Sequence, residues 1–211
     1  MKANTFFYRF LSRAILFYSI SLCVGCTTTL LRPAQLQEAA KVKVRQQSLN
    51  QQSSFSAKGK LGLKEGTRGG NIRFQWDQNA TDYSIKLFSG FIGTGSVDIT
   101  GNAYQVILTE ADGTRLKASN PEELVKKALE WSIPVSGLRY WLIGLPAPKH
   151  PIEFLKYDEE NRLWQLKQDG WLINYQSYRT LANGQEVPYK LQLINDTLSL
   201  KFVFTHWSLV N

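Results

Sequence analysis

Cysteine and histidine are nearly missing from this chain of 211 residues, and where the few copies fall matters more than their number. Both cysteines, Cys23 and Cys26, lie near the start, so the remainder can build neither a disulfide framework nor a thiol nucleophile. The two histidines, His150 and His206, have no carboxylate or second histidine at ligand spacing along the chain, so neither a metal site nor a cofactor is expected. There is no Gly-x-Ser-x-Gly elbow, phosphate loop or dinucleotide fingerprint. The one acidic run, Asp158-Glu159-Glu160, reads as a solvated turn, and catalysis is not expected. A membrane-spanning apolar run is also lacking; the stretch from Ala14 to Val24 is too short to cross a bilayer stably. Acids are outnumbered, 17 against 25 Lys and Arg, for a net charge of +8. Residues 1–25 hold three of the cations and no acid, which leaves +5 for the rest. That charge is too diffuse for a nucleic-acid patch and suits an anionic membrane surface or an acidic partner.

What is present begins with a leader. Residues 1–25 read as a signal peptide, with Lys2, Arg9 and Arg13 as its basic segment and Ala14 to Val24 as its apolar one. It ends Leu22-Cys23-Val24-Gly25-Cys26, which resembles a bacterial lipobox, although Cys23 stands where leucine is usual. The resemblance implies cleavage before Cys26 and acylation of that residue; an ordinary secretory peptide is the alternative. Two or three acyl chains give a stable anchor where one does not. Thr27, in the position where aspartate favours inner-membrane retention, leans toward the outer membrane.

Residues 26–54 are polar and Gln-rich and read as a lipidated N-terminus and tether. A helix within them is suggested by Pro33 and by Leu36, Ala40 and Val44 at four-residue spacing. From Phe55 the period becomes two. Ile72, Phe74 and Trp76 alternate with polar residues, as do Tyr83, Ile85 and Leu87. The spacing of such runs and of turn signals (Gly69-Gly70, Gly101-Asn102, Asp169-Gly170) predicts about eleven strands. Six precede and five follow a helical insert over 120–148. Asn120 is its N-cap, with Pro121 and Glu123 completing a capping-box pattern, and Pro134 is expected to end the first helix. The second carries Leu138, Trp141 and Leu142 at i, i+3, i+4 and stops at Gly144 and Pro146. Residues 55–211 thus read as one mainly β (α+β) domain, an antiparallel sheet with a wet face and a dry concave face. The interior is either packed solid or open to a ligand.

The loop Ser89-Gly90-Phe91-Ile92-Gly93 is unusual, because a link between strands should be polar. Either Phe91 and Ile92 fold back into the core, or they form an exposed apolar finger.

Residues from about 50 onward resemble the LolB family, the outer-membrane lipoprotein receptors of the bacterial lipoprotein-localisation pathway. The resemblance rests above all on Ile133-Pro134-Val135-Ser136-Gly137-Leu138-Arg139-Tyr140-Trp141-Leu142-Ile143-Gly144-Leu145-Pro146. Gly59-Lys60-Leu61, Phe74-Gln75-Trp76-Asp77-Gln78 and the Gly90–Gly93 loop add to it, although Phe91 and Ile92 stand where Pro and Leu are commoner. It implies an unclosed antiparallel β-barrel of about eleven strands with a helical lid over a hydrophobic cavity. It also implies a monomer, anchored on the periplasmic face of the outer membrane. Such a receptor accepts lipoproteins from a periplasmic carrier and places their acyl chains in the membrane, with Ile92 at the delivery position. A passive binder of envelope lipids with no carrier partner is the alternative function. On the apolar strand faces and the lid, Phe74, Trp76, Ile85, Leu87 and Val106 are expected to line the acyl-chain cavity. Leu138, Trp141, Leu142, Ile173 and Tyr175 are expected to complete it. Arg139 and Tyr140 are placed at its rim.

Overall fold

Alternation decides the strands. In β1 (Ser54–Glu65), Phe55, Ala57, Leu61 and Leu63 are buried while Lys58, Lys60 and Lys64 are exposed. In β2 (Arg68–Asn79), Ile72, Phe74 and Trp76 are buried and Arg73 is exposed. The computed structural model describes residues 33–51, 54–89 and 95–210. The chain divides into two units, Met1–Gln37 and Glu38–Asn211. The second holds the sheet and everything below; of the first, only the opening turn of a helix is described. The leader, Cys26, Phe91 and Ile92 lie outside the described residues.

Helix α1 (Pro33–Gln51) precedes β1 and β2. Four more strands follow, β3 (Asp82–Ser89), β4 (Gly95–Gly101), β5 (Val106–Glu110) and β6 (Arg115–Ala118). The insert carries α2 (Pro121–Leu129) and α3 (Val135–Trp141). After it come β7 (Ile152–Tyr157), β8 (Leu163–Gln168), β9 (Trp171–Thr180), β10 (Glu186–Ile194) and β11 (Leu198–Val210). All eleven strands form one antiparallel sheet in the order β6-β5-β4-β3-β2-β1-β11-β10-β9-β8-β7. The first and last strands pair at its centre, while β6 and β7 are its edges. The barrel is therefore unclosed, and the insert is the chain that runs from one edge to the other.

The β1–β11 pairing slips between Lys58 and Gly59. A Cβ at Gly59 would collide with the Val203 carbonyl oxygen and come within 3.0 Å of Phe204 Cα and of the Phe74 ring. Glycine is what permits the two strands and Phe74 to approach so closely.

The helices differ in detail from the sequence expectation. In α1, Ala40 and Val44 face solvent, Val44 being 65% exposed. Polar contacts hold the helix instead. Arg45 Nη1 donates to Glu186 Oε2 at 3.0 Å and Gln46 Nε2 to the Tyr157 hydroxyl at 2.7 Å, while Leu49 is buried beside them. Helix α2 ends at Leu129, earlier than the proline that was expected to stop it. Glu130 takes a left-handed conformation (φ 64°), and its carboxylate meets Arg68 Nη2 at 3.2 Å. The Asn120 side chain accepts from the Glu122 and Glu123 amides as a cap should. The reciprocal arm of a capping box is not formed; Glu122 Oε1 accepts from the Ser136 amide at 2.8 Å and so ties α2 to α3.

Candidate functional site

Between the concave face and the insert lies an apolar cavity. Phe74 and Trp76 of β2 and Ile85 and Leu87 of β3 form much of its sheet wall. Val125 and Leu129 of α2 and Val135 and Leu138 of α3 form much of its roof. No polar atom lines it, and its space is about 50 Å³. Its walls offer a water molecule none of the polar partners it needs. A space of this size suits only a few water-sized groups, at roughly 10–15 Å³ each, and is too small for a sixteen-carbon acyl chain.

Trp76 and Val135 also line a second, open groove of about 410 Å³, shared with Arg139, Tyr140, Tyr83 and His150. These two side chains therefore stand between a groove of mixed polar and apolar lining and the apolar cavity. Trp76 is oriented from behind: its indole N–H donates to Gln78 Oε1 at 3.0 Å, and Gln78 Nε2 donates to the Ala80 and Asp82 carbonyls. Arg139 reaches across the groove to the Ala80 carbonyl at 3.1 Å and lies over the Tyr140 ring.

The C-terminal end of the insert is fastened to β8 and β9. Trp141 donates its indole N–H to Gln168 Oε1 at 2.8 Å and accepts from the Tyr175 hydroxyl at its carbonyl at 2.9 Å. Gln168 is fully buried, and its amide also exchanges bonds with the Ala147 backbone in both directions and donates to the His150 carbonyl. All its hydrogen-bonding capacity is thus spent on the insert. Helix α3 closes with the Leu145 amide donating to the Tyr140 carbonyl and the Gly144 amide to that of Trp141. Gly144 takes φ 84°, which a glycine adopts without strain. His150 Nδ1 lies 2.8 Å from Asp169 Oδ2, a partner that its neighbours in the chain did not disclose.

The family model for the outer membrane lipoprotein LolB matches residues 53–207. The chain belongs to the LolB family. Named relatives agree. The outer-membrane lipoprotein LolB of Cellvibrio japonicus is 34% identical, over 96% of this chain and 98% of its own. That of Nitrosococcus oceani is also 34% identical, over 93% and 96%. Two solved structures share the fold at low identity. One is a LolA superfamily protein from Nitrosomonas europaea, with TM-score 0.52, 7% identity and coverage of 81% of this chain and 94% of its own. The other is a DUF1329 family protein from Desulfovibrio piger, with TM-score 0.54, 4% identity and coverage of 85% and 94%.

In this LolB-family chain, the ten residues expected at the cavity fall into two groups. Phe74, Trp76, Ile85, Leu87 and Leu138 line it. The other five are buried but do not. Val106 borders the open groove. Trp141 and Tyr175 belong to the fastening of the insert, and Leu142 and Ile173 are fully buried in the core. Trp141 and Leu142 share a helix face with Leu138 but lie about one turn further along the axis, at the end of the insert that is fastened to β8 and β9. Three wall residues were not anticipated, Leu61, Ile99 and Phe202, although each lies on the buried side of an alternating strand. Gln168 was not anticipated either, because nothing local distinguishes a buried glutamine from a solvated one.

Burial pushes the Tyr83 hydroxyl from 10.0 up to about 12, with Glu122 adding to the rise and Arg139 opposing it. Burial raises Tyr175 and Tyr178 as well. A pKa raised in the fold means stability is fully present below the unfolded value and is lost as pH climbs through the folded one. The urea midpoint should therefore hold steady up to pH 10 and fall between 10 and 12, and Tyr83→Phe should flatten part of that fall. An unchanged profile in Tyr83→Phe would show that this hydroxyl is not shielded.

Proposed function

We propose that this outer-membrane lipoprotein of the LolB family receives lipoproteins from a soluble periplasmic carrier and releases their acyl chains into the outer membrane. The observation that carries this reading is the wholly apolar cavity roofed by Val125, Leu129, Val135 and Leu138. Exposing the fifteen hydrocarbon carbons of a sixteen-carbon acyl chain to water would cost about 12 kcal/mol, at about 0.8 for each. A client chain must therefore pass from one apolar cavity to another. The cavity is small as it stands, so entry requires the roof to lift; Gln168 and Tyr175 hold the far end of the insert, and the exposed Glu130–Arg68 and Arg139–Ala80 contacts would have to open to release α2 and the start of α3. The groove behind Trp76 and Val135 would supply the approach. No energy source is needed if the receiving cavity binds slightly better, since about 1.4 kcal/mol gives a tenfold bias. Acylated Cys26 would keep the receiver at its target membrane, and Ile92 would be the delivery element. Residues 1–25 would be the removed leader, 26–54 the lipidated tether and 55–211 the binding domain.

The test is transfer. A radiolabelled lipoprotein is loaded on its carrier, and the chain from Thr27 onward is added without nucleotide. Movement of label to this chain is expected; no movement with a folded chain would remove the acceptor reading. Ile92→Glu should accept the label unchanged but deliver it to liposomes at least about tenfold more slowly, because a carboxylate resists entering the bilayer. Unimpaired delivery would exclude Ile92 from that role.

A further inference from the structure

The outward face of the sheet carries a grid of cations. Lys60 of β1 pairs with Arg73 of β2 on one side and with Val203 of β11 on the other, and Val203 pairs with Lys190 of β10. Three exposed cations therefore lie in one row across four strands. In an adjacent row, Gly62 pairs with Lys201. In another, Lys58 pairs with Gln75 and Gln75 with Lys86. None of these six cations is in an ion pair among the described residues. The nearest acids do little to relieve them. Asp77 is held by Ser56 and Gln75, and Asp98, though opposite Lys86 in register, makes no ion pair with it. Like charges directly opposite on neighbouring strands destabilise a sheet. The Lys60–Arg73 pair is thus a cost to the fold that an anionic partner would offset.

We propose that this convex face docks on a phospholipid surface bearing anionic headgroups, so that the barrel lies against the bilayer rather than hanging from its tether. Two features favour lipid over an acidic protein. The cations are mostly lysines spread over five strands, a diffuse field suited to an extended anionic surface. Arg73 also pairs with Phe88, an aromatic that is 40% exposed on the same face, one residue from the end of β3. An exposed aromatic beside cations is the composition of an interfacial anchor. The proposal rests on the outer-membrane reading only for the presence of a bilayer, and the quenching that tests it involves no lipoprotein client.

The mature chain, lipidated at Cys26 and carrying Val203→Cys with a fluorophore on the new thiol, is reconstituted in phosphatidylethanolamine vesicles with or without phosphatidylglycerol. A spin-labelled headgroup lipid serves as quencher. Quenching should be several-fold stronger with phosphatidylglycerol and should vanish at an ionic strength of about 1 M, where screening acts within about 3 Å. Replacing Lys60, Arg73 and Lys190 by glutamine should weaken docking about fivefold per charge. A label at Asn183→Cys, in the β9–β10 turn, should stay unquenched throughout. Equal quenching with and without the anionic lipid would overturn the proposal. So would a triple variant, melting as the parent does, that keeps its quenching but loses capture of the loaded carrier; the grid would then be a protein-docking surface. Because the salt arm uses unaltered cations, it remains decisive if the triple variant fails to fold.

Discussion

Gln168→Leu should lower the stability of this protein by about 4 kcal/mol, more than most single substitutions do. Leucine matches the buried volume but offers no polar atom. It would leave the Trp141 indole N–H, the Ala147 N–H and the carbonyls of Ala147 and His150 without their partner. A buried polar group stripped of its bond costs about 1–3 kcal/mol. The His150 carbonyl lies in a partly exposed position and can recover a water, so the sum falls short of four full penalties. Urea titration followed by tryptophan fluorescence measures the loss directly. The damage should also be local: amides of α3 should exchange faster with deuterium under conditions where the β1–β11 amides are unaffected. A loss under about 1 kcal/mol would mean that water replaces the glutamine and that the insert is held by packing alone.

Gly59→Ala should be nearly as damaging, at about 3 kcal/mol or more. The added Cβ meets backbone, the Val203 carbonyl and Phe204 Cα, and neither can swing aside as a side chain could. The clash sits at the register slip between the first and last strands, the pairing that joins the two halves of the sheet. It also presses on the Phe74 ring, which lines the cavity, so affinity for an apolar probe should fall with stability. Gly62→Ala is the matched control. Its Cβ would meet only Asn71 Oδ1 at 3.5 Å and Lys201 at 3.8 Å or beyond, ordinary contacts. Parallel unfolding curves should separate the two variants by at least about 2 kcal/mol. Equal losses would mean that the slip tolerates a side chain and that only strand propensity is being read.

Much of the sheet is legible in the order of residues alone. Ile72, Phe74 and Trp76 share a face because successive side chains on a strand point oppositely, and that rule needs no knowledge of neighbours. Turn pairs such as Asp169-Gly170 mark breaks for equally local reasons; both residues take positive φ. The insert is legible from Asn120, Pro121 and Gly144, whose roles depend on backbone geometry within one turn. The cavity is half legible. Phe74, Trp76, Ile85 and Leu87 sit on adjoining strands, so the face rule carries them to one wall, and Leu138 completes it from the roof. Trp141 and Tyr175 have the same apolar character, but whether a buried aromatic lines a space or fastens a helix depends on its partner across the fold. Their partners, Gln168 and each other, are distant in sequence.

The sequence by itself determined the strand count, the one-sided burial of most strands, the place of the helical insert and the family. Each of these is written in spacing and turn residues a few positions apart, where covalent geometry limits the choices. Only the tertiary structure decided that β1 and β11 meet at the centre of the sheet and that the insert bridges its two free edges. It alone decided that Gln168 holds the insert down, and that Lys60, Arg73 and Lys190 fall in one row. Those outcomes depend on pairings between residues far apart in the chain, set by how the whole apolar face is buried at once and not by any local preference.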